Sequence, residues 1–284
     1  MDIRRVGVVG CGLMGSGIAE QAARSGFDVV VREINEQALA AGRERVAGSM
    51  KRGLQRGKIS QEEHDAAAVR LAYTTELAEL ADCDFIIEAA TENMAIKKEV
   101  FKALGEIAKP DAILASNTSS LSITEIASAT TQPERVLGVH FFNPVPVMPL
   151  IEYVRGFLTS DETMQAARDF GKALGKETVE SKDRPGFIVN LLLIPFLLDA
   201  IRALESGVAT KEDIDKGIQL GLNHPMGPFT LADFVGLDTA LFIADAMYEE
   251  FKDPRYAAPP LLRRMVTAGY HGRKTGKGFY EYGR

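Results

Sequence analysis

Cysteine is scarce in this chain: among 284 residues only Cys11 and Cys83 occur. Two cysteines cannot build a disulfide framework or a cysteine-based zinc site, so the fold must rest on its hydrophobic core. Histidine is nearly as rare, with four in all. A long uninterrupted apolar run is missing too. The most apolar stretch, "FIVNLLLIPFLLDAI" from Phe187 to Ile201, is broken by Asn190, Pro195 and Asp199 and is too short to span a bilayer. There is no repeat or low-complexity tract. Positive charge is not in excess, and a net charge of −6 gives no support for nucleic acid as a partner. With a first strand expected at about Arg5, no signal or transit segment is expected, which suggests a cytoplasmic protein or a processed matrix protein.

What is present is an alternation. "RRVGVVGCGLMGSGIAEQAARSGFDVVVREIN" reads as strand, glycine turn, helix, strand. Val6, Val8 and Val9 have the continuous apolar character of a parallel strand buried on both faces. From Asn35 to about Arg70 the pattern is helical and highly charged, with a turn near Gly57, and suggests a helical hairpin projecting from the sheet. "CDFIIEAA", "DAILASNTSS", "RVLGVHFF", "PLIEYV" and "ETVESK" read as strands, with helices between several of them. Strands alternating with helices predict a doubly wound, Rossmann-type α/β domain over residues 1–183. After "KDRPG" strand signals nearly vanish, and helices are expected over 187–205, 211–220, 238–251 and 260–268. Residues 184–284 therefore read as an all-α domain. Its first helix is apolar nearly all round and should be buried on most sides, which suggests a homodimer through this domain.

The glycine turn is a G-x-G-x-x-G, Gly10 to Gly15, between a strand and a helix. Gly10 suits the tight turn, Gly12 the approach of a pyrophosphate, and Gly15 the packing of helix on strand. Leu13 and Met14 occupy the helix start, where unpaired N–H groups and the positive helix end favour a diphosphate. Glu33, at the end of the next strand, is placed to accept hydrogen bonds from the adenosine ribose hydroxyls, which favours NAD. Arg32 beside it leaves NADP open, because a guanidinium can meet a 2′-phosphate. Cys11 reads as a small residue that fits the turn.

For a nicotinamide-linked reaction the protein must supply a proton acceptor and positioning. His140 is the natural acceptor, since its unperturbed pKa lies near neutrality. Glu152 can fix its tautomer if the strands on either side of the intervening loop pair. "NTSS" follows a strand, so Asn117 and Ser119 fall at the carboxyl edge, where open α/β sheets bind ligands. Asn190 is a polar amide in an apolar helix, and burying it unpaired would cost about 1–3 kcal/mol. Plainer roles stay open for each: His140 as a structural hydrogen-bonding group, Glu152 as an edge charge, Ser119 as the cap of a helix starting in "SITEIAS", and Asn190 as a bridge between helices. Lys51, Arg52, Arg56 and Lys58 form a basic cluster on the hairpin, suited to phosphates or simply solvated.

The string "SNTSSLSITEIA…RVLGVHFFNPVPVMPLIEYV…DRPGFIVNLLL…GLNHPMGPFTLADFVGLD…GRKTGKGFYEY" resembles the 3-hydroxyacyl-CoA dehydrogenase family over essentially the whole chain, and most of all its short bacterial 3-hydroxybutyryl-CoA branch. The resemblance implies NAD-linked interconversion of an (S)-3-hydroxyacyl-CoA and a 3-ketoacyl-CoA. It implies His140 as catalytic base with Glu152 as its partner, and Ser119 and Asn190 as ligands of the substrate oxygen. Asn223 matches a position near the substrate. Glu33, Glu92, Lys97, Asn143 and Lys274 match positions that contact NAD, and the hairpin matches a region that contacts CoA. Two other readings compete with this one. A dehydrogenase of a small free β-hydroxy acid would typically use a lysine in the helical domain, where this chain offers Asn190. A non-catalytic dinucleotide-binding protein would have no need of His140, Glu152, Ser119 and Asn190 together.

Overall fold

The structure, a computed structural model, describes residues 2–283. The backbone divides into two compact units, Met1–Arg184 and Pro185–Arg284.

The first unit is built on eight strands: β1 (Arg5–Val9), β2 (Asp28–Arg32), β3 (Leu71–Thr74), β4 (Phe85–Glu88), β5 (Ile113–Ser116), β6 (Val136–Phe141), β7 (Leu150–Arg155) and β8 (Glu177–Lys182). They form one sheet in the order β3-β2-β1-β4-β5-β6-β7-β8. The first six are parallel, in the 3-2-1-4-5-6 order of the doubly wound dinucleotide-binding fold. β7 then runs antiparallel to β6, and β8 parallel to β7. Central strands β4, β5 and β6 are buried at every residue, because helices cover both faces. β3 gives no clear sequence signal: it is four residues long, lies at the sheet edge, and buries only Thr74 fully.

The helices of this unit are α1 (Leu13–Arg24), α2 (Glu36–Gln55), α3 (Gln61–Ala68), α4 (Met94–Ile107), α5 (Ile123–Ala127) and α6 (Asp161–Ala173). α2 and α3 are the expected hairpin. Asn35 caps the first by accepting from Ala38 N–H, and Ser60 with Glu63 forms a full capping box on the second. The α5 cap is Ser122, which accepts from Glu125 N–H at 3.2 Å, so Ser119 is not the cap of that helix. Asp183, just past β8, reinforces this N-terminus. Its carboxylate accepts from Ile123 N at 2.9 Å, Thr124 N at 2.7 Å and Ser122 Oγ at 3.0 Å.

The second unit contains α7 (Val189–Glu205), α8 (Lys211–Gly221), α9 (Pro228–Val235), α10 (Leu237–Phe251) and α11 (Pro260–Thr267). α9 is an addition to the helices expected from sequence. It follows the Gly227–Pro228 pair, which suits a helix start because proline at the first position gives up an N–H that would be unpaired anyway. α7 continues through the buried Pro195. Most of it is buried or half-buried, as its sequence suggests, but Leu192 is left 68% exposed. Among the described residues no helix is long and apolar enough to cross a membrane.

Candidate active site

The antiparallel register of β6 and β7 places His140 directly opposite Glu152. Opposed residues share one face of the sheet, so the ring and the carboxylate meet: Nδ1 and Oε2 are 2.6 Å apart. Glu152 is fully buried and His140 is 8% exposed, so the ring alone of the pair reaches the surface. An ionised carboxylate only accepts hydrogen bonds, which selects the tautomer with the proton on Nδ1 and a lone pair on Nε2. Such a ring can take a proton at Nε2, and the buried negative charge stabilises the cation that forms. Phe142 packs against the imidazole with ring centroids 4.5 Å apart.

The loop after β5 is tied to the same strand. Asn117 Oδ1 accepts from Phe141 N–H at 3.1 Å, one residue beyond His140. Ser119 turns toward Glu92: its N–H donates to Oε1 at 3.0 Å and its Oγ lies 3.4 Å from the same oxygen, while Thr118 Oγ1 donates to Oε2 at 2.8 Å. Glu92 thus holds the "NTSS" loop.

Lys97, which the resemblance implies as a cofactor contact, lies inside the fold. Its ammonium is fully buried, 2.5 Å from Glu88 Oε2 and 3.1 Å from Ser116 Oγ, and it approaches Glu92 only to 4.0 Å. A buried ammonium needs a carboxylate, and here Glu88 supplies it. Glu88 also accepts from Ala90 N–H at 2.8 Å and from Ser116 Oγ at 2.9 Å. The sequence reading missed Glu88 and Ser116. The signal was there, an acid closing the otherwise apolar strand "FIIE" with a lysine nine residues on.

The glycine turn has the shape a dinucleotide requires. Gly10 sits at φ +90°, and a Cβ there would come within 2.5 Å of the Ala90 backbone. A Cβ on Gly15 would lie 1.8 Å from Gly10 O, whereas one on Gly12 would meet nothing within 4 Å. The turn is therefore closed toward the sheet and open at Gly12. The first N–H groups of α1, at Leu13, Met14 and Gly15, have no acceptor inside the helix. Leu13 is 67% exposed beside them. Glu33 accepts from Cys11 N–H at 2.6 Å and Ile34 N–H at 3.0 Å, one bond per oxygen, which leaves lone pairs for hydroxyl donors. A carboxylate here repels a 2′-phosphate. Arg32, the residue that would welcome one, donates Nε to Thr75 O at 3.2 Å. These residues fit NAD.

The other expected residues are less gathered. Lys51, Arg52, Arg56 and Lys58 are all exposed, at the end of α2 and the turn after it. Asn143 is exposed and precedes a cis peptide to Pro144. In the second unit Asn190 is buried in the first turn of α7, Asn223 adopts φ +55°, and Lys274 binds Asp238 at 2.6 Å. A groove of about 560 Å³ opens between α2, α3 and β3, with Arg43, Met50, His64 and Tyr73 in its walls. None of the His140 or glycine-turn residues line it.

A mostly parallel sheet with a glycine turn shaped for NAD, and a buried His–Glu pair where β6 and β7 meet, fit the class of NAD-dependent oxidoreductases. Comparison with known proteins is more specific. The family model for the NAD-binding domain of 3-hydroxyacyl-CoA dehydrogenase matches residues 5–184, and that for the family's C-terminal domain matches 186–282. The 3-hydroxybutyryl-CoA dehydrogenase of Mycobacterium tuberculosis is 53% identical over 282 residues, 99% of each chain. The human mitochondrial hydroxyacyl-coenzyme A dehydrogenase is 44% identical, over 99% of this chain and 91% of its own. A crystal structure of (S)-3-hydroxybutyryl-CoA dehydrogenase from Ralstonia eutropha covers 100% of both chains at 45% identity, with a TM-score of 0.95. The chain belongs to the 3-hydroxyacyl-CoA dehydrogenase family.

Proposed function

We propose that this protein interconverts (S)-3-hydroxybutyryl-CoA and acetoacetyl-CoA with NAD, using His140 and Glu152 as its acid–base pair. The observation that carries the chemistry is the 2.6 Å contact of His140 Nδ1 with the buried Glu152 carboxylate. The full-length relatives named as 3-hydroxybutyryl-CoA dehydrogenases support the substrate.

In the oxidative direction neutral His140 accepts the 3-hydroxyl proton at Nε2 while hydride departs from C3. NAD, when bound, supplies the hydride acceptor. Glu152 holds the ring and offsets the charge of the imidazolium, a contribution of about 10²–10⁴-fold for a positioned acid–base group. In reduction the imidazolium returns the proton to the carbonyl oxygen. Ser119 and Asn190 hydrogen-bond that oxygen, where charge develops. Glu92 and Lys97 stand on the cofactor side, and Glu92 also keeps the Ser119 loop in place. Asn117, Asn143 and Lys274 complete the cofactor side, Asn223 the substrate side, and the basic tip of α2 meets the phosphates of CoA. Two copies associate through the helical unit, covering apolar residues such as Leu192, in a cytoplasmic enzyme. A monomeric mass by light scattering would remove the dimer from this proposal, and cell fractionation tests the location.

The deciding assay follows absorbance of NADH and NADPH in parallel with acetoacetyl-CoA. Oxidation of NADH well ahead of NADPH is expected. Oxidation of NADPH alone would overturn the role given to Glu33, and oxidation of neither would overturn the substrate.

A further inference from the structure

The glycine turn is held by two side chains outside its own motif. Glu33 accepts the N–H of Cys11 at 2.6 Å, and Arg45, on α2, donates Nη1 to the carbonyl of the same residue at 3.1 Å. The peptide units on both sides of Cys11 are thereby fixed. In a trans peptide the C=O and the following N–H point in opposite directions. Binding Cys11 O to α2 therefore turns the Gly12 N–H away from α2, and Gly12 is the residue with open space around its Cβ position. Gly42 permits the approach: a Cβ there would lie 2.6 Å from Cys11 Cβ and 2.7 Å from Sγ. Cys11 itself is fully buried beneath the helix. Its thiol is pushed up to about 12 by burial first and by Glu33 second, with Arg45 pulling the other way, so it remains a neutral wedge.

We propose that Arg45 is a positioning residue of the dinucleotide site, holding the Cys11 carbonyl so that the Gly12 N–H is aimed at the diphosphate of the bound cofactor. This rests on the NAD reading above. Sequence motifs give no hint of it, since Arg45 lies 33 residues beyond Gly12 on a helix that looks like an independent hairpin. Through Arg45 and Gly42 that helix, which also carries the basic cluster, is docked on the nucleotide turn.

The test compares wild type with Arg45→Met and Arg45→Lys in two measurements: NADH affinity by fluorescence titration, and amide hydrogen exchange over residues 10–15 without nucleotide. Losing one oriented hydrogen bond at a partly exposed site should weaken NADH binding about five-fold. Turnover at saturating NADH should stay within about two-fold. Exchange in the turn should quicken in Arg45→Met and return toward wild type in Arg45→Lys, which keeps a donor. Unchanged NADH affinity in Arg45→Met would overturn the proposal and leave the NAD reading standing. Weakened affinity with unchanged exchange in the free protein would also overturn it, in favour of direct attraction between Arg45 and the diphosphate. Wild-type protein that fails to bind NADH would remove both readings at once. Gly42→Ala, which pushes α2 off Cys11 by a different route, should reproduce the Arg45→Met result.

Discussion

Glu152 in the first unit and Asp215 in the second are both buried carboxylates, yet they are satisfied in opposite ways. Asp215 accepts from Phe229 N at 2.7 Å, Thr230 N at 3.0 Å, Thr230 Oγ1 at 2.6 Å and Tyr280 Oη at 3.1 Å. Two of these partners are backbone amides at the start of α9, so the carboxylate pins a helix terminus and the chain's last segment together. Glu152 faces an imidazole instead. A backbone amide cannot change its charge near neutrality, whereas a histidine can. A buried acid is therefore a staple in one place and, in the proposed mechanism, half of a proton-transfer pair in the other. Burial alone does not mark a functional carboxylate; its partner does.

The comparison can be broken most severely at the pair. His140→Gln should lower turnover by about 10³-fold or more while leaving NADH binding in place, as read by steady-state rates beside a fluorescence titration. Near-normal turnover would reduce the pair to a structural hydrogen bond. Asp215→Ala should act on stability: a buried and a half-buried amide lose their acceptor, for a cost of about 3 kcal/mol in urea unfolding. NADH affinity at the glycine turn should stay the same. If Asp215→Ala instead abolished cofactor binding at full stability, the contrast between staple and device would be wrong.

Two smaller effects sharpen the picture. Glu33→Gln should weaken NADH about ten-fold and narrow its advantage over NADPH, because a neutral amide no longer repels a 2′-phosphate. Parallel titrations with the two cofactors measure this. Glu20 is a third kind of buried acid, on α1. It is 3% exposed, has Arg24 at 3.5 Å, and its Oε2 has no hydrogen-bond partner. Burial raises its pKa above the usual carboxylate value, against the pull of Ser49 and Arg24. In the window between the unfolded and the raised folded pKa, the native state binds more protons than the unfolded one. Glu20 therefore costs stability above that window, and the cost is relieved as pH falls through it. Glu20→Gln, which mimics the neutral form, should raise stability by about 1 kcal/mol at pH 7. Thermal unfolding at a series of pH values should show that gain shrinking toward acid; a gain that grew toward acid would reverse the assignment.

Much of the sheet was legible because a parallel strand covered on both faces is apolar along most of its length, as "VGVV" and the first three residues of "FIIE" are. β3 was not, being short and at an edge, and α9 was hidden in a segment rich in glycine and proline. His140 and Glu152 stood out as rare polar residues in apolar runs. Lys97 was reached only through the family resemblance, and its partner Glu88 was not reached at all.

The sequence by itself determined the order of strands and helices, the glycine turn with its acid, and the pool of residues from which a site could be drawn. These are local properties, set by side-chain periodicity and by the backbone freedom of glycine at positions such as Gly10. Only the tertiary structure decided which of those residues meet. The β6–β7 register set His140 against Glu152, since a slip of one residue would have sent the two side chains to opposite faces. The packing of α2 brought Arg45 to Cys11, and the burial of Lys97 forced it onto Glu88. The first two of these contacts join segments far apart in the chain or turn on strand pairing, and no local pattern of residues encodes a partner at that distance.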